Sequence, residues 1–245
     1  MQAAFVGGEG HIASAFSILD LLWVLYDRVL HFYPNEPTHE DRDRFVLSKG
    51  HGSLAIYAIL AEKGFFSLAE LQTFANYDSR FGGHPDRRKV PGVEASTGSL
   101  GHGLPMAVGM ALGLRIKKNP RRVFALIGDG ECNEGSIWEA AALAAHHKLM
   151  NLTCIVDYNH STDRALFLDD IAAKFAAFQW SIQRINGHDH ADIFRALTQT
   201  APGHPTVIVA ETIKGYGSKT MVGNPAWHHR SPSTAELEQI LQELV

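Results

Sequence analysis

Two short segments carry the residues best suited to chemistry. Gly128-Asp129-Gly130-Glu131-Cys132-Asn133-Glu134-Gly135 follows the apolar run 123–127, and Asn159 closes Ile155-Val156-Asp157-Tyr158-Asn159, thirty residues after Asp129. If both runs are strands of one parallel βαβ unit, the two turns open at the same edge of the sheet, where ligands bind. Asp129 and Asn159 then offer two hard oxygens to one small cation. Gly128 and Gly130 let backbone N–H groups approach a phosphate. Mg²⁺ favours such a site, taking few protein oxygens and completing its shell with phosphate and water. The expectation is a magnesium-bound diphosphate at the strand tips. A Gly-Asp-Gly turn is common by itself; the strand before it, the helix after it and the Asn beyond give it meaning. No Gly-x-Gly-x-x-Gly opens a helix after a strand, so the dinucleotide fingerprint is missing.

The elements that must position these turns follow from the pattern of apolar residues. A helix is expected over 17–32, ended by Pro34 and Pro37, then a short strand over 44–48, broken by Gly50-His51-Gly52. A helix over 53–63 stops at Gly64, and Ser67 with Glu70 forms a capping box for a helix reaching 74. Residues 78–99, dense in Gly, Pro, Ser and Asp, read as one long functional loop before a helix over 104–117. Beyond it come strand 123–127, helix 136–148, strand 152–156, a helix near 170–178, a strand near 180–185, a helix near 190–199 and strand 206–211. A polar amphipathic helix over 233–244 caps the surface. Strands alternating with helices predict an α/β fold with a doubly wound, mostly parallel sheet flanked by helices, one domain over 1–245.

Composition narrows the function classes. With 245 residues and 45% hydrophobic content, the chain can bury one large core. A net charge of −4 and dispersed basic residues give no footprint for nucleic acid. No apolar run approaches the roughly 20 residues of a membrane span, and the first residues lack a signal-peptide pattern. Two cysteines, Cys132 and Cys154, make no disulfide framework, so a reducing cytoplasm is the default. Fourteen histidines are many for this length, and several sit beside glycine.

These segments resemble the diphosphate-binding half of transketolases, which are thiamine diphosphate enzymes. The likeness rests on Gly128-Asp129-Gly130-Glu131 with Glu134-Gly135 and Trp138-Glu139-Ala140, on His147-Lys148-Leu149 and on Asp157 with Asn159. It extends to Arg42-Asp43-Arg44-Phe45-Val46-Leu47-Ser48-Lys49-Gly50-His51, Gly82-Gly83-His84-Pro85 and Ser96-Thr97-Gly98-Ser99-Leu100-Gly101. Near the end it includes Glu211-Thr212-Ile213-Lys214-Gly215-Tyr216-Gly217 and Asn224-Pro225-Ala226-Trp227-His228, so nearly the whole chain is covered. The resemblance implies that thiamine diphosphate and Mg²⁺, or another divalent cation, are the cofactors. Asp129, Asn159 and the carbonyl of Ser161 would hold the metal. His51 and His228 would contact the diphosphate or approach the substrate, and His11 and His84 would line the substrate channel. Gly98-Ser99-Leu100 would pack beside the aminopyrimidine, and Glu134 would lie near the cofactor and a subunit interface. Imidazoles with pKa values near 6.5 suit hydroxyl protons that leave and return near neutral pH. The remaining histidines, among them His160, His188, His190 and His229, are expected to be ordinary hydrogen-bonded loop residues.

Full-length transketolases continue into a pyrimidine-binding domain and a C-terminal domain, which this sequence does not contain. Their catalytic glutamate and most groups that grip the sugar phosphate lie there. The chain is therefore expected to be the N-terminal subunit of a split transketolase, transferring a two-carbon ketol unit between sugars or sugar phosphates only with a partner chain, in an α₂β₂ assembly. Two departures from the family stand out. Only ten residues precede His11, and after Asn159 the chain reads His160-Ser161-Thr162-Asp163-Arg164-Ala165, with no family counterpart for Arg164. Two other readings compete. One is the α-type subunit of a 2-oxo-acid dehydrogenase, which shares the metal motif; the other is a degenerate domain that binds a partner without turnover.

Overall fold

The chain is described by a computed structural model over residues 1–163 and 166–244, so Arg164 lies outside the described residues. Five strands, β1 (Arg44–Leu47), β2 (Val123–Gly128), β3 (Leu152–Tyr158), β4 (Ser181–Asn186) and β5 (Thr206–Glu211), form one sheet in the order β1-β2-β3-β5-β4. Every pairing is parallel, with Val123 opposite Leu152 and Thr153 opposite Thr206. The central strands read as unbroken apolar runs because a parallel sheet is covered on both faces, and all six residues of β2 are buried. Phe124 and Leu126 face a layer holding Leu21, Ile56, Leu60 and Ile193; Val123, Ala125 and Ile127 face Leu104, Ala107, Ile137 and Phe175.

The covering helices are α1 (Gln2–Gly7), α2 (Ile12–Phe16), α3 (Leu19–Val24), α4 (Ser53–Glu62), α5 (Gly103–Ile116), α6 (Gly135–His146), α7 (Ile171–Ala177), α8 (His190–Thr198) and α9 (Thr234–Glu243). Most match the expected spans within a few residues, and α1 and α2 are additional to them. The single helix expected over 17–32 is corrected: it starts later, as α3, and passes into a π turn over Leu25–Val29, while α2 is a separate helix before it. Ser17 explains the separation. Its hydroxyl bonds back to Ser14 O at 3.0 Å and reaches Asp157 Oδ2 at 2.9 Å, pinning the chain where a helix would have continued. The segment after Ser67 forms its capping box with Glu70, but as a 3₁₀ helix over Leu68–Thr73.

One glycine sets how closely a helix meets the sheet. A Cβ on Gly103 would fall 2.3 Å from Ser48 Oγ and 2.6 Å from Ser48 Cα. Without it, the first turn of α5 abuts the exit of β1.

Candidate functional site

Parallel strands bring their C-terminal tips to one edge. Ser48, Lys49 and His51 follow β1, Asp129 follows β2, Asn159 follows β3, and Thr212 to Lys214 follow β5. Asp129 and Asn159 converge as expected. The Ser161 amide donates both to Asp129 Oδ2, at 2.9 Å, and to Asn159 Oδ1, at 3.1 Å. His160, with φ of +61°, turns the chain so that Ser161 returns to this point. Asp129 is only 3% exposed. Burial raises its carboxyl above the usual range, and the nearby Asp157 carboxylate raises it further. Such an anion favours a cation beside it. The glycine amides are already engaged: Gly130 N donates to Asp129 Oδ1 at 2.7 Å and Gly128 N to Glu131 Oε2 at 3.2 Å.

Beneath this pair lies a network that the sequence reading missed. Asp157 is fully buried and accepts from Ser17, from Asn159 Nδ2 at 2.8 Å, from Thr212 Oγ1 at 2.5 Å and from the Lys49 ammonium. Burial alone would raise its carboxyl; Lys49 and the hydrogen bonds outweigh that and hold it below the usual range. Because Asp157 takes the Asn159 amide group, the Asn159 side-chain oxygen is turned to Ser161, whose amide it shares with Asp129 and whose hydroxyl it also accepts. A metal ligand is oriented by an outer-sphere partner in the same way. Glu131, 1% exposed, plays a parallel part: it accepts from Ser48 Oγ and from the Gly101 amide at 2.8 Å, tying the loop that carries Gly98, Ser99 and Leu100 to the tips of β1 and β2. Glu134 is an exposed residue at the N-terminus of α6.

The four predicted histidines also gather. The His11 ring lies 5.1 Å from His51 and 5.2 Å from His228 between centroids, and His11 Nδ1 bonds His228 O at 2.8 Å. His84 packs on Gly98, whose added Cβ would fall 2.9 Å from His84 Cδ2. His229, expected to be an ordinary loop residue, belongs to the cluster, 4.5 Å from His11. At His11, His51 and His228 the expected pKa near 6.5 is corrected. Burial, then neighbouring histidines, push His11 down to about 4; burial, then Lys49, push His51 down to about 2. His228 is lowered by burial and by Lys214. The His11 and His51 rings are therefore neutral at pH 7 and donate and accept hydrogen bonds without carrying charge.

A cavity of about 660 Å³ opens between the two halves of the site, lined by Asn159, His160, Ser161, Lys214, Asn224 and His228 among others. Lys214 is a second residue missed from sequence. Its Nζ lies 3.0 Å from His228 Nδ1, and it takes part in none of the lysine ion pairs of the described residues, which join Lys49 to Asp157, Lys63 to Asp27 and Lys117 to Glu40. Burial lowers its pKa, as expected for a cation without an anion against it. The sequence signals were its place after an apolar strand and within the family-like segment Glu211 to Gly217, neither of which gave it a role.

A parallel α/β sheet with an acidic turn, an Asn and, among the described residues, a lysine in no ion pair at its tips has the build of a domain that takes a diphosphate together with a cation. Residues 2–244 match the family described as transketolase, thiamine diphosphate binding domain, and the chain belongs to that family. It is 40% identical over 241 residues to an apulose-4-phosphate transketolase subunit of Actinobacillus succinogenes, covering 96% of this chain and 87% of that protein. It is also 40% identical over 229 residues to the 6-deoxy-6-sulfo-D-fructose transketolase subunit of a Clostridium strain, covering 91% of this chain and 83% of the relative. The solved transketolase of Leishmania mexicana superposes with a TM-score of 0.91 at 30% identity, over 99% of this chain and 39% of that one. The chain thus spans about two fifths of that transketolase. The family's cofactor is thiamine diphosphate, bound with a divalent cation, and the residues present fit it. Among the described residues, Asp129 is a buried carboxylate in no ion pair and Lys214 a half-buried cation without a carboxylate, and the cavity lies between Asn159 and Lys214.

Proposed function

We propose that the chain is the N-terminal, diphosphate-binding subunit of a two-chain transketolase. It transfers a two-carbon ketol unit between sugars or sugar phosphates with a partner chain that carries the pyrimidine-binding and C-terminal domains, in an α₂β₂ assembly. The observation that carries this is the shared Ser161 amide, which holds the Asp129 and Asn159 oxygens together above a buried Asp157. Asp129, Asn159 and the Ser161 carbonyl hold Mg²⁺, and Lys214, His51 and His228 meet the diphosphate. When bound, thiamine diphosphate supplies the electron sink that cleavage beside a ketose carbonyl needs. The protein's own part is to orient. His11, His51, His84 and His228 line the channel and hydrogen-bond the substrate hydroxyls, His11 and His51 doing so without a standing charge. The loop of Gly98, Ser99 and Leu100, tied down through Glu131, flanks the aminopyrimidine, with Glu134 toward the partner. Relatives of similar length that are named as subunits support the two-chain reading. The family membership favours it over the 2-oxo-acid dehydrogenase reading.

The test is reconstitution. The chain purified with Mg²⁺ and thiamine diphosphate should show no ketol transfer alone and should gain it when combined with the product of an adjacent gene matching the missing domains. Full activity of the chain alone would refute the two-chain reading. A stable complex with no turnover would support a binding domain instead.

A further inference from the structure

The segment that leaves β5 carries Lys214 into the cavity, and its backbone is held on both sides of that residue. Glu211 O accepts the Gly187 amide at 2.7 Å, Thr212 N donates to Tyr158 O at 3.1 Å, and Gly215 N donates to Ala13 O at 2.9 Å. Between them, the Ile213 amide donates to a side chain, His188 Nε2, at 2.9 Å. A ring nitrogen that accepts bears no proton, so the His188 proton sits on Nδ1, where it donates to Asp20 Oδ2 at 2.8 Å. His190 Nε2 engages the other Asp20 oxygen at 2.9 Å. The His188 ring stacks on Tyr216 at 3.6 Å, and its side chain is 5% exposed. Gly187 permits this approach: a Cβ there would fall 2.4 Å from Thr212 Cγ2 and 2.9 Å from Glu211 O. Asp20, His188 and Tyr216 come from α3, the β4–α8 turn and the β5 exit, and none of them lines the cavity.

We propose that His188, oriented by Asp20 and Tyr216, is a positioning residue that fixes the Ile213 amide and thereby aims Lys214 at the bound diphosphate. The inference rests on the cofactor reading above. A lysine head on a four-carbon stem loses side-chain freedom when it grips an anion. Anchoring the residue before it confines that loss to the stem. Outer-sphere partners act in the same way on the groups they hold, and their removal weakens binding about 10- to 100-fold.

Two variants of the full chain test this, His188→Ala and His188→Gln, each titrated with thiamine diphosphate at saturating Mg²⁺ beside the wild type. The Gln side-chain carbonyl can still accept the Ile213 amide; Ala cannot. Hydrogen–deuterium exchange should show the Ile213 amide unprotected in His188→Ala and protected in His188→Gln. Cofactor affinity should fall about tenfold in His188→Ala and stay within about threefold of wild type in His188→Gln, while kcat with the partner chain at saturating cofactor changes less than about twofold. A merely structural role would lower Tm and kcat in both variants alike, and that result overturns the proposal. So does a folded His188→Ala chain that loses Ile213 protection yet binds cofactor as the wild type does. A wild-type chain that binds no thiamine diphosphate, alone or with its partner, instead removes the cofactor reading, and the positioning role falls with it.

Discussion

Asp129 and Asp157 are two buried carboxylates with opposite needs. Asp157 is compensated by Lys49 and three further donors, whereas among the described residues Asp129 accepts only two backbone amides. Removing Asp157 should therefore damage the fold. Asp157→Ala leaves Lys49 buried and unpaired and should cost about 3–5 kcal/mol in urea denaturation; a cost below about 1 kcal/mol would show the pair to be dispensable. Removing the Asp129 charge should damage only the function. Asp129→Asn should bind Mg²⁺-thiamine diphosphate about a hundredfold more weakly, by calorimetry, while the cofactor-free chain keeps or gains stability, because an uncompensated buried charge is gone. His51 gives a third test. Its folded-state pKa of about 2 lies below the ordinary 6.5, so as pH falls below about 6.5 the unfolded chain takes up a proton that the folded chain refuses, and stability is lost. His51→Gln should gain thermal stability relative to the wild type between pH 7.5 and pH 5; a difference independent of pH would contradict the assignment. At this scale the sequence revealed Asp129 and Asn159 because strand, turn and helix are local signals. It hid Lys49 and Ser17, which meet Asp157 from 108 and 140 residues away, and it gave no reason to separate His229 from ordinary loop histidines.

The elements were read well where apolar periodicity decides and less well where one side chain intervenes. The strands ending at Gly128 and Tyr158 follow from buried runs. The separation of α2 from α3 depends on Ser17 reaching Asp157 on β3, which no local pattern contains. The same logic of close approach governs α5. Gly103→Ala should force the first turn of α5 away from Ser48 and destabilise the chain by about 1–3 kcal/mol, the usual cost of overpacking. Because the loop of Gly98, Ser99 and Leu100 enters that turn, cofactor affinity should fall with stability. Unchanged urea midpoints would mean that the helix start has room to shift.

The whole molecule is a parallel sheet whose tips offer an anion, an amide carbonyl and a lysine that is in no ion pair among the described residues, around one cavity. Its fold class and its site edge could be read from strand and turn patterns, because a parallel order places all loops of one kind on one side. The depth of the histidine depression could not, because it arises from burial and from Lys49 and Lys214 packed nearby. The central claim is that Asp129, Asn159 and the Ser161 carbonyl share one divalent ion that faces a diphosphate. Crystals of the chain with its partner, grown with Mn²⁺ and thiamine diphosphate, test it through anomalous scattering. A single Mn²⁺ peak bonded to all three residues and to the cofactor's phosphates is the expected result. A peak away from Asp129 and Asn159, or cofactor density with no metal between it and these residues, would contradict the account.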